Sequence, residues 1–308
     1  MKRENYAIST TKLTRLFGGT TAVDNLTLEV SEGELFGLVG PDGAGKSTVM
    51  RLLAAIMDPT SGDAWVNGLH TVRESDAIKD SIGYMSQKFG LYPDLTVIEN
   101  IDFYADIYGV RDASRADRIS RLLEFSNLGP FKKRLVGNLS GGMKQKLGLA
   151  CALVHTPKII FLDEPTNGVD PVSRRDFWKI LHKLEEEGVT VFVSTCYLDE
   201  AERCDRLALM DKGRLLAVGT PDEVKGHMNG SVIDLMTSSS RKAAALLRDS
   251  LAGCSIGLFG DRVHIITGEP DRIIAELEKT LKEAGIEIIS AKKERPTLED
   301  VFISIGNK

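Results

Sequence analysis

The chain has 308 residues, of which 42% are hydrophobic and 27% charged, and its formal net charge is −5 at pH 7. This composition predicts a globular protein with one large or two ordinary cores, and the mixed charges disfavour a surface that wraps nucleic acid. Because no apolar run is long enough to span a membrane and residues 1–5 do not begin a signal peptide, we expect a cytosolic protein or one attached peripherally to the cytosolic membrane face.

The amino-terminal part of the chain is predicted to form short strands and one helix. Alternating polar and apolar residues indicate strands, and a turn at 16–19 separates the first two. An apolar strand leads through a glycine-rich loop into a helix at 49–55. The expected strands are 6–10, 22–30, 35–39, 63–68 and 81–87.

The glycine-rich loop after the third strand is typical of a phosphate site. A strand before it and a helix after it are the context in which consecutive backbone N–H groups and a helix N-terminus hold an anion. We expect Lys46 to reach the β- and γ-phosphates and the Ser47 hydroxyl to bind Mg²⁺. A glycine-rich turn that binds nothing fits this context less well. The residues of the loop are Gly40, Pro41, Asp42, Gly43, Ala44, Gly45, Lys46, Ser47 and Thr48.

Helical periodicity replaces the strand pattern between residues 94 and 157, after which alternating strands and helices resume. The predicted helices of this block are 96–108, 113–126 and 140–154. A fully apolar strand at 159–162 is typical of a strand buried on both faces of a parallel sheet. Beyond it we expect a helix at 172–187, a strand at 189–193, a short helix at 198–204 and a hairpin at 207–218.

A second domain is predicted to follow residues 226–230, giving domains at 1–226 and 231–308. The order of its elements is β-α-β-β-α-β, which indicates a ferredoxin-like split arrangement. A final helix after Pro296 is expected to start with a capping box between Thr297 and Asp300. The predicted elements are 231–237, 241–251, 255–259, 262–267, 271–284 and 286–291.

Asp163 and Glu164 follow directly after the buried strand at 159–162. The carboxyl ends of parallel strands are where open α/β sheets bind ligands. We expect Asp163 to hold Mg²⁺ through the water shell of the metal, and Glu164 to polarise an attacking water. An ordinary acidic turn is the alternative, and it is less consistent with a neighbouring phosphate loop.

Together with the phosphate loop, five motifs in family order resemble those of the ATP-binding-cassette (ABC) ATPases over residues 6–226. The resemblance implies an α/β P-loop NTPase fold with a RecA-like core, an antiparallel β-subdomain and an inserted helical subdomain at about 94–157, with ATP and Mg²⁺ as cofactors. It makes Glu164 and Gln87 catalytic and places Gln87 at the metal with Ser47 and Asp163. The matching positions are Phe17 (adenine stacking), Gln87 (Q-loop), 139–146 (signature), 163–165 (Walker B) and 168–171 (D-loop, with Asp170).

The signature residues Ser140, Gly141 and Gly142 predict a dimer. In the family, two cassettes close head to tail over two ATP molecules, and each signature helix points its N-terminus at the γ-phosphate bound by the other cassette. The partner is either a second copy of this chain or a different ABC cassette. Taken alone, the three residues are more typical of an ordinary helix N-cap with a flexible turn.

The tail at 296–302 is similar to that of the exporter branch of the family, and 87–92 and 142–151 resemble the amino-terminal cassette of one type of multidrug exporter ATPase. This implies an ATP-binding subunit on the cytoplasmic side of the membrane that drives permease subunits, with a regulatory or dimer-stabilising C-terminal domain. The alternatives are a soluble ABC ATPase acting on ribosomes or DNA, disfavoured by the single cassette and the acidic net charge, and a small-molecule kinase, disfavoured by the signature.

Cys196 departs from the family pattern, because a switch histidine is expected at this position. A thiol is a weak hydrogen-bond donor, so we expect slow hydrolysis at this chain's own site, while its signature completes a competent site on another cassette. The alternatives are that Glu164 suffices, or that Cys196 has a redox role with a lowered pKa. The spacing of the four cysteines, Cys151, Cys196, Cys204 and Cys254, otherwise indicates reduced thiols.

Aromatic and apolar residues cluster after Gln87 and in the helix that follows. They could form a groove for a cytosolic helix of a membrane partner, and packing in the core of the helical block explains them equally well. The residues are Phe89, Leu91, Tyr92, Phe103, Tyr104 and Tyr108.

Overall fold

The computed structural model describes residues 6–88, 90–111, 113–226, 231–251 and 254–306. It divides into two compact units, Met1–Leu215 and Leu216–Lys308. The division falls within the strand Arg214–Gly219, whereas the sequence places a domain boundary at 226–230. Predictions for residues 1–5, Phe89 and 227–230 lie outside the described residues.

The first unit is built on a largely parallel six-stranded sheet with the strand order β11-β10-β4-β9-β8-β7. Every residue of β4 and β8 is buried, as the apolar sequences predict. The strands are β4 (Leu35–Val39), β7 (Ile82–Met85), β8 (Ile159–Asp163), β9 (Thr190–Thr195), β10 (Arg206–Asp211) and β11 (Arg214–Gly219). Helices α1 (Lys46–Leu53), α6 (Pro171–Glu186) and α7 (Leu198–Ala201) follow β4, β8 and β9. All loops after the parallel strands therefore meet at one sheet edge.

An antiparallel sheet has the order β2-β1-β5-β6, and β3 also pairs with β1. Its strands are β1 (Tyr6–Phe17), β2 (Thr20–Leu26), β3 (Glu29–Ser31), β5 (Ser61–Val66) and β6 (Leu69–His70). The single strand predicted at 22–30 is wrong. The Thr10 hydroxyl donates to the Leu26 carbonyl (3.0 Å) and accepts from the Leu28 N–H (2.9 Å). It thereby takes the place of backbone hydrogen bonds to β1 where the chain passes from β2 to β3.

The helical block contains α3 (Val97–Ile107), α4 (Arg115–Phe125) and α5 (Gly141–Leu153), close to the predicted bounds. Thr96 and Glu99 form a capping box at the start of α3. The faces of the three helices share one apolar core, which includes Val97, Ile101, Ile119, Leu123, Leu147 and Ala150. Helix α2 (Ser75–Ser81) was not predicted, because it buries only Ile78 and carries little apolar periodicity.

The second unit has a four-stranded antiparallel sheet with the order β13-β14-β12-β15. Its elements are α8 (Pro221–Gly226), β12 (Ser231–Thr237), α9 (Ser240–Ser250), β13 (Ser255–Phe259), β14 (Arg262–Thr267), α10 (Pro270–Glu283), β15 (Ile288–Glu294) and α11 (Leu298–Gly306). This strand order is the ferredoxin-like arrangement expected from the element order. Thr297 and Asp300 form the predicted capping box, and α11 packs against α8, a helix that was not predicted.

Within the described part of the chain, no helix combines the length and the apolar character that crossing a membrane requires.

Candidate active site

The phosphate loop connects β4 to α1 and depends on its glycines. Gly45 caps α1 with a φ of 104°, which is unfavourable for any residue with a Cβ. A Cβ at Gly45 would collide with the carbonyl oxygen of Ala22, and one at Gly40 with that of Met210. The loop therefore holds its backbone against β2 and β10 while the first N–H groups of α1 face the loop.

Lys46 is a buried cation at the first position of α1. Its Nζ donates to the carbonyl oxygens of Gly40 (2.7 Å) and Pro41 (3.0 Å) and lies 3.1 Å from Oε1 of Glu164. A buried ammonium needs such oxygen partners. Its contacts therefore link the phosphate loop directly to the acidic residue after β8.

Asp163 accepts two hydroxyl hydrogen bonds on the same oxygen. Ser47 Oγ and Ser194 Oγ lie 3.0 and 2.8 Å from its Oδ1, and Ser194 Oγ also accepts from the backbone N–H of Glu164 at 2.9 Å. Hydroxyl and carboxylate oxygens are ligands that Mg²⁺ accepts. The pairing of Ser47 with Asp163 fits a magnesium site beside the phosphate loop.

Glu164 is held in an unusual backbone conformation and by several donors. Its φ of 49° lies in the left-handed region, which costs energy for a residue other than glycine and is typical of functional sites. Its Oε2 accepts from Gln87 Nε2 at 2.9 Å and from Asn167 Nδ2 at 3.2 Å. The Q-loop glutamine thus contacts the carboxylate that the sequence assigns to water activation.

Lys46, Ser47, Gln87 and Glu164 line one cleft of about 390 Å³. It brings together the phosphate loop, Gln87 and Glu164, which are far apart in sequence. Asn167 lies in it as well, and sequence reasoning missed this residue. The lining residues are Ala22, Asp42, Gly43, Ala44, Gly45, Lys46, Ser47, Thr48, Gln87, Glu164 and Asn167.

The signature and D-loop residues begin two helices elsewhere in this unit. Ser140 caps α5 by accepting from the Met143 N–H at 3.3 Å, and Asp170 caps α6 by accepting from the Ser173 N–H at 2.9 Å. The hydrogen bonds from Ser173 lower the pKa of Asp170. Gly142 packs so closely against Ser173 that a Cβ would collide with it, while Gly141 is exposed. Ser140, Gly141, Gly142 and Asp170 are not among the residues lining the cleft.

Phe17 is the last residue of β1 and is 44% exposed. The Arg15 guanidinium lies 4.7 Å from the centre of its ring. The ring is therefore partly exposed at the end of the antiparallel sheet, and adenine stacking on it stays a prediction.

A family model described as ABC transporter matches residues 23–167. The chain is 36% identical over 307 residues to the daunorubicin/doxorubicin resistance ATP-binding protein DrrA of Streptomyces peucetius, covering 97% of this chain and 92% of that protein. It belongs to the ABC transporter family of ATP-binding proteins. It is also 46% identical over 288 residues to the probable multidrug ABC transporter ATP-binding protein YbhF of Escherichia coli K12, covering 92% of this chain and 49% of YbhF.

The chain thus spans about half the length of YbhF. Among solved structures, a dimeric ATP-binding cassette in a post-hydrolysis state, bound to ADP and Pi, matches with a TM-score of 0.63 and 28% identity, covering 69% of this chain and 98% of that one. The fold of the first unit is therefore that of an ABC cassette, as the motifs predict.

Cys196 follows β9 and is partly exposed in this ABC cassette. Burial and, next, the Glu164 carboxylate raise the pKa of the thiol, although Lys46 opposes them. The thiol therefore stays protonated near neutral pH. The prediction of a lowered pKa, which a redox role would need, is therefore wrong. All four cysteines are free thiols, and Cys151 and Cys204 are buried.

Sequence reasoning about this cassette also missed Ser194, which touches both acidic residues. Asp163 and Ser194 are register partners on neighbouring parallel strands. A serine at the end of the strand next to Walker B was therefore a usable signal once the two strands were assigned to one sheet.

Proposed function

We propose that this chain is the ATP-binding and ATP-hydrolysing subunit of an ABC exporter. The observation that carries the proposal is the convergence of Lys46, Ser47, Gln87 and Glu164 in one cleft. Asp163 adjoins this cleft through its hydrogen bond from Ser47. Ser47 and Asp163, with Gln87, would hold Mg²⁺. When bound, the metal would neutralise negative charge on the phosphate groups of ATP.

Each protein group has a defined task in this proposal. The N–H groups of the phosphate loop and the Lys46 ammonium bind the phosphates, with Lys46 exchanging its contact with Glu164 for phosphate oxygens. Glu164 accepts a hydrogen bond from the attacking water, and Asn167 and Gln87 orient its carboxylate. Phe17 offers its exposed ring to the adenine.

The proposed active form is a head-to-tail dimer. Ser140 and Gly141 are exposed at the N-terminus of α5, where backbone N–H groups and the helix dipole favour a phosphate. Because they do not line the cleft of their own chain, their phosphate would come from a second cassette. Asp170 is exposed at the start of α6, and in this proposal it contributes to the same interface.

We further propose that the cassette acts on the cytoplasmic face of the membrane through permease subunits. Tyr92 is 45% and Ile107 59% exposed in the helical block, and Tyr92 packs edge-on against Phe103 with 4.6 Å between ring centres. These residues offer an apolar surface to a partner helix. Tyr104 and Tyr108 instead pack against the helical core, and burial raises the pKa of Tyr104 to about 12.

We propose that the Cys196 thiol slows ATP hydrolysis at this chain's own ATP site. A histidine there could hydrogen-bond the γ-phosphate, whereas a protonated thiol is a weak donor. The intact signature would complete a competent site on another cassette. That cassette would belong to a second protein or to a tandem partner.

Steady-state ATP hydrolysis by the purified chain and by Cys196→His and Glu164→Gln tests this proposal. We expect Cys196→His to raise turnover on the order of tenfold to a thousandfold, and Glu164→Gln to abolish the gain. Cys254→His is the matched control, because it makes the same change at another partly exposed thiol. Fast hydrolysis by the parent, unchanged by Cys196→His, would show that Cys196 is tolerated and that a homodimer suffices.

A second experiment separates an exporter subunit from a soluble ATPase acting on ribosomes or DNA. The tagged Glu164→Gln variant, trapped with ATP, should copurify with an integral membrane protein from detergent extracts. Recovery of ribosomes or DNA instead would support the alternative.

A further inference from the structure

Glu200, on the short helix α7, is fully buried, although it carries a carboxylate. Its Oε1 accepts from Thr166 Oγ1 at 2.7 Å, and its Oε2 accepts from Thr195 Oγ1 at 2.6 Å. A buried carboxylate is costly unless such partners compensate for the lost water. Glu200 does not line the cleft, so neither substrate binding nor Mg²⁺ binding accounts for it.

Both threonines belong to segments that carry site residues. Thr166 lies two positions after Glu164, in the turn that also presents Asn167, and Thr195 directly precedes Cys196. Thr195 Oγ1 also accepts from the Tyr197 N–H at 3.0 Å. The hydroxyl proton of Thr195 is thereby directed to Glu200. The hydrogen bonds run in one direction, from the Tyr197 amide to the Thr195 hydroxyl and on to the Glu200 carboxylate.

Arg174 ties a third segment to the same carboxylate. Its Nε lies 3.5 Å from Oε1 of Glu200, and its guanidinium lies 4.1 Å from the centre of the Tyr197 ring. Arg174 belongs to the first turn of α6 and donates its backbone N–H to the Asp170 carbonyl at 2.9 Å. The Glu200 side chain therefore contacts the turn after Walker B, the end of β9 and the helix that begins at the D-loop.

We propose that Glu200 is a positioning residue for ATP hydrolysis. This role rests on the function proposed above. Its two hydroxyl bonds and its ion pair fix the turn bearing Glu164 relative to the segment bearing Cys196 and to Asp170. Hydrolysis requires reacting groups to be placed within a fraction of an ångström. Nucleotide binding depends mainly on the phosphate loop, which Glu200 does not contact.

The kinetic test replaces Glu200 by Gln, which keeps the shape but removes one acceptor and the negative charge. In a Cys196→His background, we expect Glu200→Gln to lower kcat on the order of tenfold to a hundredfold while KM stays nearly unchanged. Glu34→Gln is the matched control, because Glu34 is also buried and paired with an arginine, Arg206, at 3.2 Å. It should match the kcat of its background.

The second test uses the Cys196 thiol as a probe of its own segment and needs no turnover. In a Cys254→Ser chain, Cys196 is the remaining thiol that is not buried. Without nucleotide, Glu200→Gln should make Cys196 react with a maleimide on the order of tenfold faster, as expected from losing one hydrogen bond to a charged group. Glu34→Gln should leave this rate unchanged.

Threonine variants show whether the effect passes through Glu200. Thr166→Val and Thr195→Val should each lower kcat, and both should have little further effect once Glu200 is Gln. Thr10→Val, which removes another buried hydroxyl of this unit, should leave kcat unchanged. Fully multiplicative effects of the threonine variants in the Glu200→Gln chain would contradict the proposal.

The two proposals fail in different ways. If Glu200→Gln and Glu34→Gln lower thermal stability equally and neither changes kcat nor the rate of Cys196 modification, Glu200 is only structural. If MgATP does not slow modification of Cys196 in the parent, the proposed nucleotide site is wrong. Even in that case, comparing the reactivity of Cys196 with and without Glu200→Gln, in the absence of nucleotide, still tests the positioning role of Glu200.

Discussion

Two glycines of the phosphate loop have positive φ angles but different surroundings. Gly43 (φ 80°) has open space where a Cβ would point, whereas a Cβ at Gly45 (φ 104°) would collide with the Ala22 carbonyl. Gly43 is thus required only for its left-handed backbone conformation. Gly45 also permits a close approach between the loop and β2.

A pair of alanine variants separates these two needs. Gly43→Ala should lower the free energy of unfolding by about 1–2 kcal/mol, the cost of a left-handed residue. Gly45→Ala should lose a further ~1–3 kcal/mol through the collision. Urea unfolding of both variants and the parent measures the difference, and equal losses would contradict the role assigned to Ala22.

At the scale of elements, helices α5 and α6 touch through Gly142 and Ser173. Any Cβ at position 142 would overlap the Ser173 side chain, while position 141 has open space. The second signature glycine is thus also required for packing against the helix that follows the D-loop. Sequence reasoning considered only its N–H group.

We expect Gly142→Ala to lower the free energy of unfolding by ~1–3 kcal/mol and Ser173→Gly to restore part of this loss in the double variant. Gly141→Ala is the control and should be neutral or slightly stabilising, because alanine favours a helix. Thermal unfolding of the four proteins checks this. Additive losses in the double variant would rule out the contact as the cause.

In the second unit, a cluster of charged residues around the buried Asp234 and Asp300 joins α11 to the sheet. His264 Nδ1 lies 2.8 Å from Oδ1 of Asp300, and its Nε2 lies 3.7 Å from Oδ1 of Asp234, which also pairs with Arg262. The hydrogen bond to Asp300 raises the pKa of His264 against the effect of burial. Burial alone would raise the pKa of Asp300, but its bonds from His264 and Thr297 outweigh it and lower that pKa.

These shifts predict a stability maximum in mildly acidic solution. The His264 contribution is complete below its unfolded pKa of about 6.5 and is lost as pH rises through the higher folded value. The Asp300 contribution is complete above about pH 3.9 and is lost as pH falls through the lower folded value. Urea unfolding should show that stability falls between about pH 6 and about pH 9. His264→Gln and Asp300→Asn should both flatten this slope, and an unchanged slope would contradict the assignment.

At the scale of the whole molecule, each unit has a core of its own. The core of the second unit lies between its sheet and the helices α9 and α10, and includes Ile233, Leu235, Leu247, Val263, Ile265, Leu277 and Leu281. Helix α11 packs against α8, whose start is capped by Thr220 and Glu223. We therefore expect the segment before β12 to stabilise this unit.

A fragment of residues 220–308 is expected to unfold cooperatively, because it contains a complete core and the α8–α11 contact. A fragment of residues 231–308, which lacks α8, should melt at a lower temperature. Calorimetry of the two fragments and of the full chain checks this, and identical melting temperatures would show that α8 adds no stability.

Local sequence alone determined much of this protein. The strand, glycine loop and helix around Lys46, the acidic pair after an apolar strand, and the helix caps at Thr96, Ser140 and Thr297 depend on residues that are neighbours in the chain. Periodicity and capping act over one or two turns, so they can be recognised without a fold. The β-α-β-β-α-β order of the second unit followed from the same signals.

Only the tertiary structure decided which distant groups meet. Gln87 and Asn167 hold Glu164, and Ser194 bridges Asp163 and Glu164. Glu200 joins a threonine in the turn after β8 to a threonine at the end of β9. Such contacts join segments brought to one edge of the parallel sheet, and the chain gives no periodic signal for them. The division of the strand predicted at 22–30 has the same physical reason, since the Thr10 side chain from β1 satisfies the backbone there.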